Sequence, residues 1–357
     1  MNSYLILIFF IYFFYLLKCG IMNKFYFPDD YESPQSIIDT QKAIKDVKDY
    51  FQVALANALD LTRISAPIFV TPESGLNDNL NGVEDPVSFN IKEQDNREVE
   101  IVHSLAKWKR VALYRYGFKR RQGLYADMTA IRKDEYTDNI HSLYVDQWDW
   151  EIMIDKSERN IEMLKEVVFR IFMVIKQTEY YVCGKYHFMN PFLPNEIYFV
   201  TTQELEDRWP DKTPEEREDM IAREKCAVFL MKIGGDLRSG KPHDRCAPDY
   251  DDWELNGDII VYYPILDIAL ELSSMGIRVD GEALTRQLKL AGCEERANLP
   301  FHKLILENKL PYSIGGGIGQ SRICMFFLQR AHIGEVQSSV WPDEVYKAAN
   351  VHNVNII

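Results

Sequence analysis

The 357-residue chain has no excess of positive charge, because 41 Lys and Arg stand against 54 Asp and Glu and leave a formal charge of −13. Phosphate backbones are bound mostly by Lys and Arg, so a stand-alone nucleic-acid binder is excluded, although a local basic pocket for a nucleotide is not. The sequence has no Cys-x-x-Cys pair. Its six cysteines (Cys19, Cys183, Cys226, Cys246, Cys293, Cys324) lie far apart, and none pairs with a histidine at zinc spacing. That excludes a structural zinc site and fits free, buried thiols in a reducing, cytoplasmic setting better than a disulfide framework. Fifteen Pro and eighteen Gly are too few for a collagen-like or low-complexity chain. With 46% apolar and 27% charged residues, wholesale disorder is excluded too. The apolar run from Tyr4 to Leu17 is 14 residues long, short of the roughly 20 that span a bilayer. No basic residue precedes it, and Leu17-Lys18-Cys19-Gly20 is a poor small-x-small cleavage site. Met22 is therefore the expected working start, with residues 1–30 an extension and lead-in outside the fold. A short membrane anchor is the alternative, and membrane contact is expected only if the run is retained.

What is present is a succession of well-marked elements. Ser33 to Leu59 reads as a helix, with Ser33 as N-cap, Pro34 in the first position and one stripe through Ile37, Ile38, Ile44, Val47, Phe51, Leu55 and Leu59. Leu61 to Val70 reads as a strand whose Pro67 suits an edge or an interface. Asp78 to Gly82 is a loop of Asn, Asp and Gly. Strands are expected at Glu98–His103, Gly123–Arg132 and Leu143–Ile154, then a long helix over Ser157–Val182. Thr213-Pro214-Glu215-Glu216 is a capping box with proline at the first position, opening a helix that ends near Cys226. Ala227–Ile233, Asp258–Tyr263 and Ile268–Val279 read as strands, and Glu282–Leu290 and Pro300–Asn308 as helices. A glycine run and a closing helix through Phe327 follow. Strands come in bunches, which favours an α/β chain of the α+β type, an antiparallel sheet flanked by helices, over a doubly wound parallel sheet. No repeat or flexible linker appears, and residues 31–357 are expected to form one domain.

Two glycine-rich stretches invite phosphate-binding readings. Gly235-Asp236-Leu237-Arg238-Ser239-Gly240-Lys241-Pro242 follows the P-loop pattern until Pro242 replaces the hydroxyl residue, so a surface loop is the better reading. Gly315-Gly316-Gly317-Ile318-Gly319-Gln320-Ser321-Arg322 lacks the last glycine of a dinucleotide motif and no useful strand precedes it. It fits a glycine turn running into a helix whose first turn presents an arginine. Bare backbone, a helix N-terminus and a guanidinium together suit a nucleotide.

Ile131-Arg132-Lys133-Asp134-Glu135 at a strand end, with that glycine–arginine motif, resembles motifs 2 and 3 of class II aminoacyl-tRNA synthetases. Asn256-Gly257-Asp258-Ile259 and Glu271-Leu272-Ser273-Ser274-Met275-Gly276-Ile277-Arg278 resemble the strand pair lining the pocket there. Three further stretches are similar to those of the asparagine synthetase A family: Val102 to Arg110, Tyr144 to Glu151 and Ala247 to Trp253. The likeness runs from about Ile37 to Pro342. It departs in residues 1–30 and in a shortened segment between Asp252 and Leu255, neither of which removes a motif residue.

The resemblance implies a class II synthetase-like catalytic core that makes asparagine from L-aspartate, ammonia and ATP through a β-aspartyl adenylate, releasing AMP and pyrophosphate. It places Arg132 and Arg322 on the phosphates, Glu271 and Asp258 as Mg²⁺ ligands, and Gly317 and Gly319 beside ATP. Arg278 and Lys109 would anchor the carboxylates of aspartate and Asp149 and Asp251 its ammonium, with Ser104 and Ser274 also binding substrate. Asp78 and Gln147 would stand at the reaction centre, Asp78 holding ammonium or taking its proton and Gln147 orienting the carboxylate. Glu271 and Arg278 are seven residues apart, so strict alternation sets them on opposite faces and a bulge near Ser273–Gly276 is required. His103 is read as structural, and Trp148 and Trp150 as core. A homodimer is expected through the motif 1 helix and strand, about Ser33 to Val70. Three other functions fit less well. A tRNA synthetase needs an anticodon-binding module, for which the 35 residues after Arg322 leave little room, and the acidic balance disfavours tRNA. A non-catalytic sensor would have lost a phosphate-binding arginine. A glutamine-dependent enzyme needs an N-terminal nucleophilic cysteine and a glutaminase domain.

Overall fold

The structure is a computed structural model that describes residues 25–80 and 84–357. The apolar run, Met22 and Gly82 lie outside the described residues. In chain order the elements are α1 (Ile37–Leu59), β1 (Leu61–Arg63), β2 (Phe69–Val70), β3 (Ser88–Ile91), β4 (Arg97–Ile101), α2 (Ala106–Tyr116), β5 (Gly123–Ile131) and β6 (Tyr144–Ile154). Next come α3 (Ile161–Lys185), β7 (Tyr198–Thr201), α4 (Thr202–Arg208), α5 (Pro214–Lys225), β8 (Ala227–Met231), β9 (Asp251–Tyr263) and β10 (Ile268–Arg278). The chain continues through α6 (Gly281–Leu290), α7 (Pro300–Leu306), β11 (Tyr312–Gly319), α8 (Gln320–Phe327) and α9 (Asp343–Val351).

Eight strands form one sheet in the order β1-β5-β6-β11-β10-β9-β8-β7, and β2-β4-β3 form a small second sheet. The large sheet is antiparallel except for the edge pairs β1–β5 and β7–β8, which are parallel. Its apolar face is covered by α1 and α3. Val47, Phe51 and Leu55 of α1 and Val168, Ile171 and Phe172 of α3 are buried there with Trp148, Trp150 and Ile152 of β6. Phe51 stacks on Trp148 with ring centroids 4.7 Å apart, which fixes the helix over the centre of the sheet. The two tryptophans are core, as their alternation indicates.

Several elements differ from the sequence reading. The glycine run is no turn. It is β11, a central strand between β6 and β10, and α8 begins directly at its end. Leu61 to Val70 is two short strands in different sheets, interrupted around Pro67, which has no N–H to give a ladder. Ser36, not Ser33, caps α1, accepting from the Asp39 N–H. The Ser33 hydroxyl donates instead to Glu335 at 2.6 Å. α2 was not foreseen, because Leu105 offers no side-chain cap and the helix buries cations, Lys107, Lys109 and Arg110, on the face where an apolar stripe is sought. The capping box at Thr213 and Glu216 forms as read.

Residues 25–30, expected to lie outside the fold, are part of it. Phe27 is 6% exposed within the main core. Asn139 clamps the backbone of Tyr26, accepting from its N–H at 2.9 Å and donating to its carbonyl at 2.7 Å. Phe27→Ala should accordingly destabilise the protein by about 3–5 kcal/mol, as phenylalanine truncations in cores do. Val351→Ala, at the exposed end of α9, should cost less than about 0.5 kcal/mol. Urea unfolding midpoints measure both.

Candidate active site

Strand alternation builds the site. On β6, Trp148, Trp150 and Ile152 face the helices, so Gln147, Asp149 and Glu151 face the other side. On β10 the register against β9 slips between Glu271 and Ser273 and again between Gly276 and Arg278. Leu270, Leu272, Met275 and Ile277 thereby stay in the core, while Glu271, Ser274 and Arg278 line one cleft together. That is the bulge the seven-residue spacing required. Between the two strands, β11 presents almost bare backbone. A Cβ on Gly315 would stand 1.9 Å from Glu151 Oε2, and one on Gly317 would stand 2.3 Å from Gln147 Oε1. The long polar side chains of β6 and β10 lie flat across β11 because those positions have no side chain.

The cleft has a volume of about 300 Å³. It brings together Asp78, Ser104, Lys109, Arg132, Gln147, Asp149, Asp251, Glu271, Ser274, Arg278, Gly317, Gly319 and Arg322. Asp258 is the exception among the sequence-derived candidates, since it is not one of the lining residues. It lies on β9 opposite Ser274, whose side chain hydrogen-bonds it.

At one end, Arg278 is buried between two carboxylates. Its Nε and Nη2 donate to Glu151 at 3.1 and 2.8 Å, and its Nη1 donates to Asp251 at 2.5 Å. One N–H on each terminal nitrogen is left over by this arrangement. Burial opposes the guanidinium charge, but Asp251 and Glu151 outweigh it and hold the group well above its ordinary range. The two carboxyls respond in opposite directions. Burial pushes Asp251 up to about 6 against the pull of Arg278, whereas Arg278 and Lys109 overcome burial and lower Glu151. Lys109 donates to Asp149 and, at 2.9 Å, to the Gly316 carbonyl. Burial pulls the Lys109 amine below its usual range even so. Asp149 keeps its Oδ2 buried with no hydrogen-bond partner.

At the other end, Arg322 in the first turn of α8 reaches Glu271, its Nη1 donating to the carboxylate at 3.2 Å and to the backbone carbonyl at 3.1 Å. Arg132 lies just beyond β5, tied by its N–H to the Leu143 carbonyl, and its Nε is buried without a partner. Burial, then the adjacent Glu271, push the Asp258 carboxyl well above the usual carboxylate range, and Glu218 and Asp244 add to the repulsion. A crowd of carboxylates of this kind favours a cation. Among the described residues no three His, Cys, Asp or Glu are grouped to hold a metal by themselves.

Asp78 is buried above the cleft. Its Oδ1 accepts from the Leu80 N–H at 2.9 Å, and its carbonyl lies 3.1 Å from His103 Nδ1. Four supporting residues escaped the sequence reading. Lys107 donates to the Asn77 carbonyl at 2.8 Å and to Asp249 at 2.7 Å. His302 Nε2 meets the same Asp249 oxygen at 2.9 Å. Burial opposes the Asp249 charge, yet Lys107 and His302 hold it well below the usual carboxylate range. This buried set ties the Asp78 loop to the segment leading into Asp251. Glu151 is the fourth, and here a signal was present, because it completes the polar alternation of Gln147 and Asp149.

Gly315→Ala is predicted to displace Glu151 from Arg278 and to lower the urea midpoint by the equivalent of about 3–5 kcal/mol, the range for breaking a buried ion pair. Gly319→Ala, whose Cβ meets nothing nearer than 3.4 Å, should leave the midpoint within about 0.5 kcal/mol of the parent.

Solved structures with the same fold are class II synthetases. Asparaginyl-tRNA synthetase of Entamoeba histolytica, in complex with asparaginyl-adenylate, superposes with a TM-score of 0.60 at 12% identity, over 84% of this chain and 66% of that one. The Pyrococcus horikoshii asparaginyl-tRNA synthetase complexed with asparaginyl-adenylate gives 0.59 at 14% identity, over 85% and 70%. Closer in sequence, an aspartate–ammonia ligase of Ruminiclostridium cellulolyticum is 60% identical over 94% of this chain and all of its own length. One from Clostridium perfringens is 58% identical over the same shares. Residues 38–353 match the family described as aspartate-ammonia ligase. With its fold, its sequence and the cleft in agreement, the chain belongs to the aspartate–ammonia ligase family.

Proposed function

We propose that this cleft makes asparagine from L-aspartate and ammonia with ATP, in two steps. A side-chain carboxylate oxygen of aspartate attacks the α-phosphorus, and pyrophosphate leaves. Ammonia then attacks the carbonyl carbon of the aspartyl adenylate, the carbon–oxygen bond breaks, AMP leaves and one proton is released. The observation that carries this reading is the order of groups along β11. Arg278 and Glu151 lie at Gly315, Gln147 at Gly317 and Arg322 at Gly319, which at about 3.3 Å per residue spreads them over roughly 13 Å. One end then suits a zwitterionic amino acid and the other suits phosphates.

Each group has a role that follows from its surroundings. The leftover N–H groups of Arg278, with Lys109, would hold the carboxylates of aspartate, and Asp149 Oδ2 and Asp251 its ammonium. Ser104 and Ser274 line the same wall. Gln147, lying across Gly317, would orient the carboxylate to be activated. Arg132 and Arg322 would offset charge as pyrophosphate departs, with bare Gly317 and Gly319 letting the nucleotide approach the strand. Glu271 and Asp258 would hold Mg²⁺, which supplies charge neutralisation on the phosphates when bound. Asp78 would gather ammonium or take the proton of the attacking nitrogen. A homodimer through α1 belongs to the proposal and is supported by Ile38 and Val53, both exposed there.

The acceptor role of Asp251 carries a pH dependence. Its folded value of about 6 lies above the ordinary carboxylate value, so folding favours the protonated form. Its contribution to stability is therefore present below about pH 4 and lost as pH rises through about 6. Binding of an ammonium group needs the opposite, ionised form. KM for aspartate should rise as pH falls through about 6, and Asp251→Asn should raise it and flatten that dependence.

Substitutions separate the two steps. Arg322→Ala should lose about 10²–10³ in both aspartate-dependent pyrophosphate exchange and synthesis, as loss of one preorganised charge does. Asp78→Asn should retain exchange while asparagine formation falls by about 10²–10⁴. Equal loss of both activities in both variants would make Asp78 a binder of aspartate instead. Formation of ADP, or dependence on glutamine, would contradict the reaction itself.

A further inference from the structure

A second cavity, of about 560 Å³, lies against the cleft. Leu80 lines both spaces. Its lining includes Leu290 and Ala291, exposed at the end of α6, and half-buried Cys293, Trp253 and Leu80. Leu80 is unusual in its own right. It has a φ of +49°, a left-handed conformation that costs a leucine about 1 kcal/mol or more and persists only where its surroundings impose it. Asp78 helps to hold it there, its Oδ1 accepting the Leu80 N–H at 2.9 Å. The carboxylate assigned above to the ammonia step is thus also the group that holds the residue between the two cavities.

The charge of the second cavity is specific. Arg245 and Arg296 line it against one carboxylate, Asp236. Arg296 is 3.7 Å from Asp249, and the Arg245 side chain makes no ion pair among the described residues. A cationic lining of this kind turns cations away while passing small neutral molecules, the principle by which an arginine guards neutral-solute pores. The cavity is many times the roughly 30 Å³ occupied by a water-sized molecule. Aspartate and ATP fill the cleft before ammonia is needed, so a separate approach to Asp78 is chemically useful.

We propose that this second cavity is the route by which neutral ammonia reaches the cleft, with Leu80, held by Asp78, as the partition that keeps the adenylate from bulk water. The proposal rests on the reading of the cleft as an aspartate–ammonia ligase site. Ammonium leaves its proton in solvent, ammonia passes Leu80, and the proton released on attack goes to Asp78.

The test uses the full chain with saturating aspartate and ATP and varied ammonium chloride. Cys293→Trp, which fills the cavity at a position away from the cleft, should raise KM for ammonium by about tenfold or more while aspartate-dependent pyrophosphate exchange stays within about twofold. Ala291→Trp at the exposed rim reads the same effect if the first variant does not fold. Leu80→Ala should open the partition, so that AMP forms in excess of asparagine through hydrolysis of the adenylate. Arg245→Glu should weaken the preference for the neutral species, seen as a shallower fall of KM for total ammonium as pH rises. An unchanged KM for ammonium in both folded tryptophan variants would overturn the route, as would exchange and synthesis falling in equal proportion. Absence of aspartate-dependent exchange in the parent protein would instead overturn the reading of the cleft.

Discussion

The guanidinium of Arg278 lies in the sheet with almost no access to water, and a charge withdrawn in this way is tolerated only when its partners are placed well. Much of the architecture around the cleft supplies that placement. Glu151 reaches it because Gly315 leaves the intervening strand bare. Asp251 reaches it because the register of β9 and β10 slips and sets the two residues opposite each other. A separate slip, between Glu271 and Ser273, lets Glu271 share the cleft face with Arg278. Trp148 and Trp150, packed beneath α1, lock the alternation of β6 that points Asp149 and Glu151 the other way. An alanine at Gly315 or a one-residue shift in β6 would disturb all of this at once.

The parts that were legible in the sequence are those governed by local rules. Alternation in Tyr144–Ile154 identified the tryptophan face, the capping box at Thr213 placed its helix, and an odd spacing between Glu271 and Arg278 called for a bulge that is there. The motif resemblance gathered the cleft residues, apart from Asp258, which stands beside Ser274 on the neighbouring strand and is not one of the lining residues. What failed had a physical cause in each case. Glycine propensity argues for a turn, and only the need of neighbouring side chains for space makes Gly315 to Gly319 a strand. The α2 helix hides because Lys107 and Lys109 are buried by partners from distant segments, Asp249 and Asp149, which no local pattern reveals. Ser33 looked like a cap until Glu335, some three hundred residues away, claimed its hydroxyl.

The buried set of Lys107, Asp249 and His302 gives the reaction its second structural condition. It carries no substrate role here, yet it links the Asn77–Asp78 loop to the stretch that ends at Asp251. The proposed amino-acid end and the carboxylate proposed to handle ammonia are therefore positioned by one charge network. No helix among the described residues is long and apolar enough to cross a membrane.

The central claim is that the carboxylate of aspartate itself attacks the α-phosphorus of ATP. Aspartate carrying ¹⁸O in its side-chain carboxylate tests this directly, because the oxygen that forms the new bond to phosphorus stays with AMP when ammonia displaces it. Mass spectrometry of the products should find one labelled oxygen in AMP for each asparagine formed, with none in pyrophosphate. Unlabelled AMP, or label appearing in inorganic phosphate alongside ADP, would contradict the account.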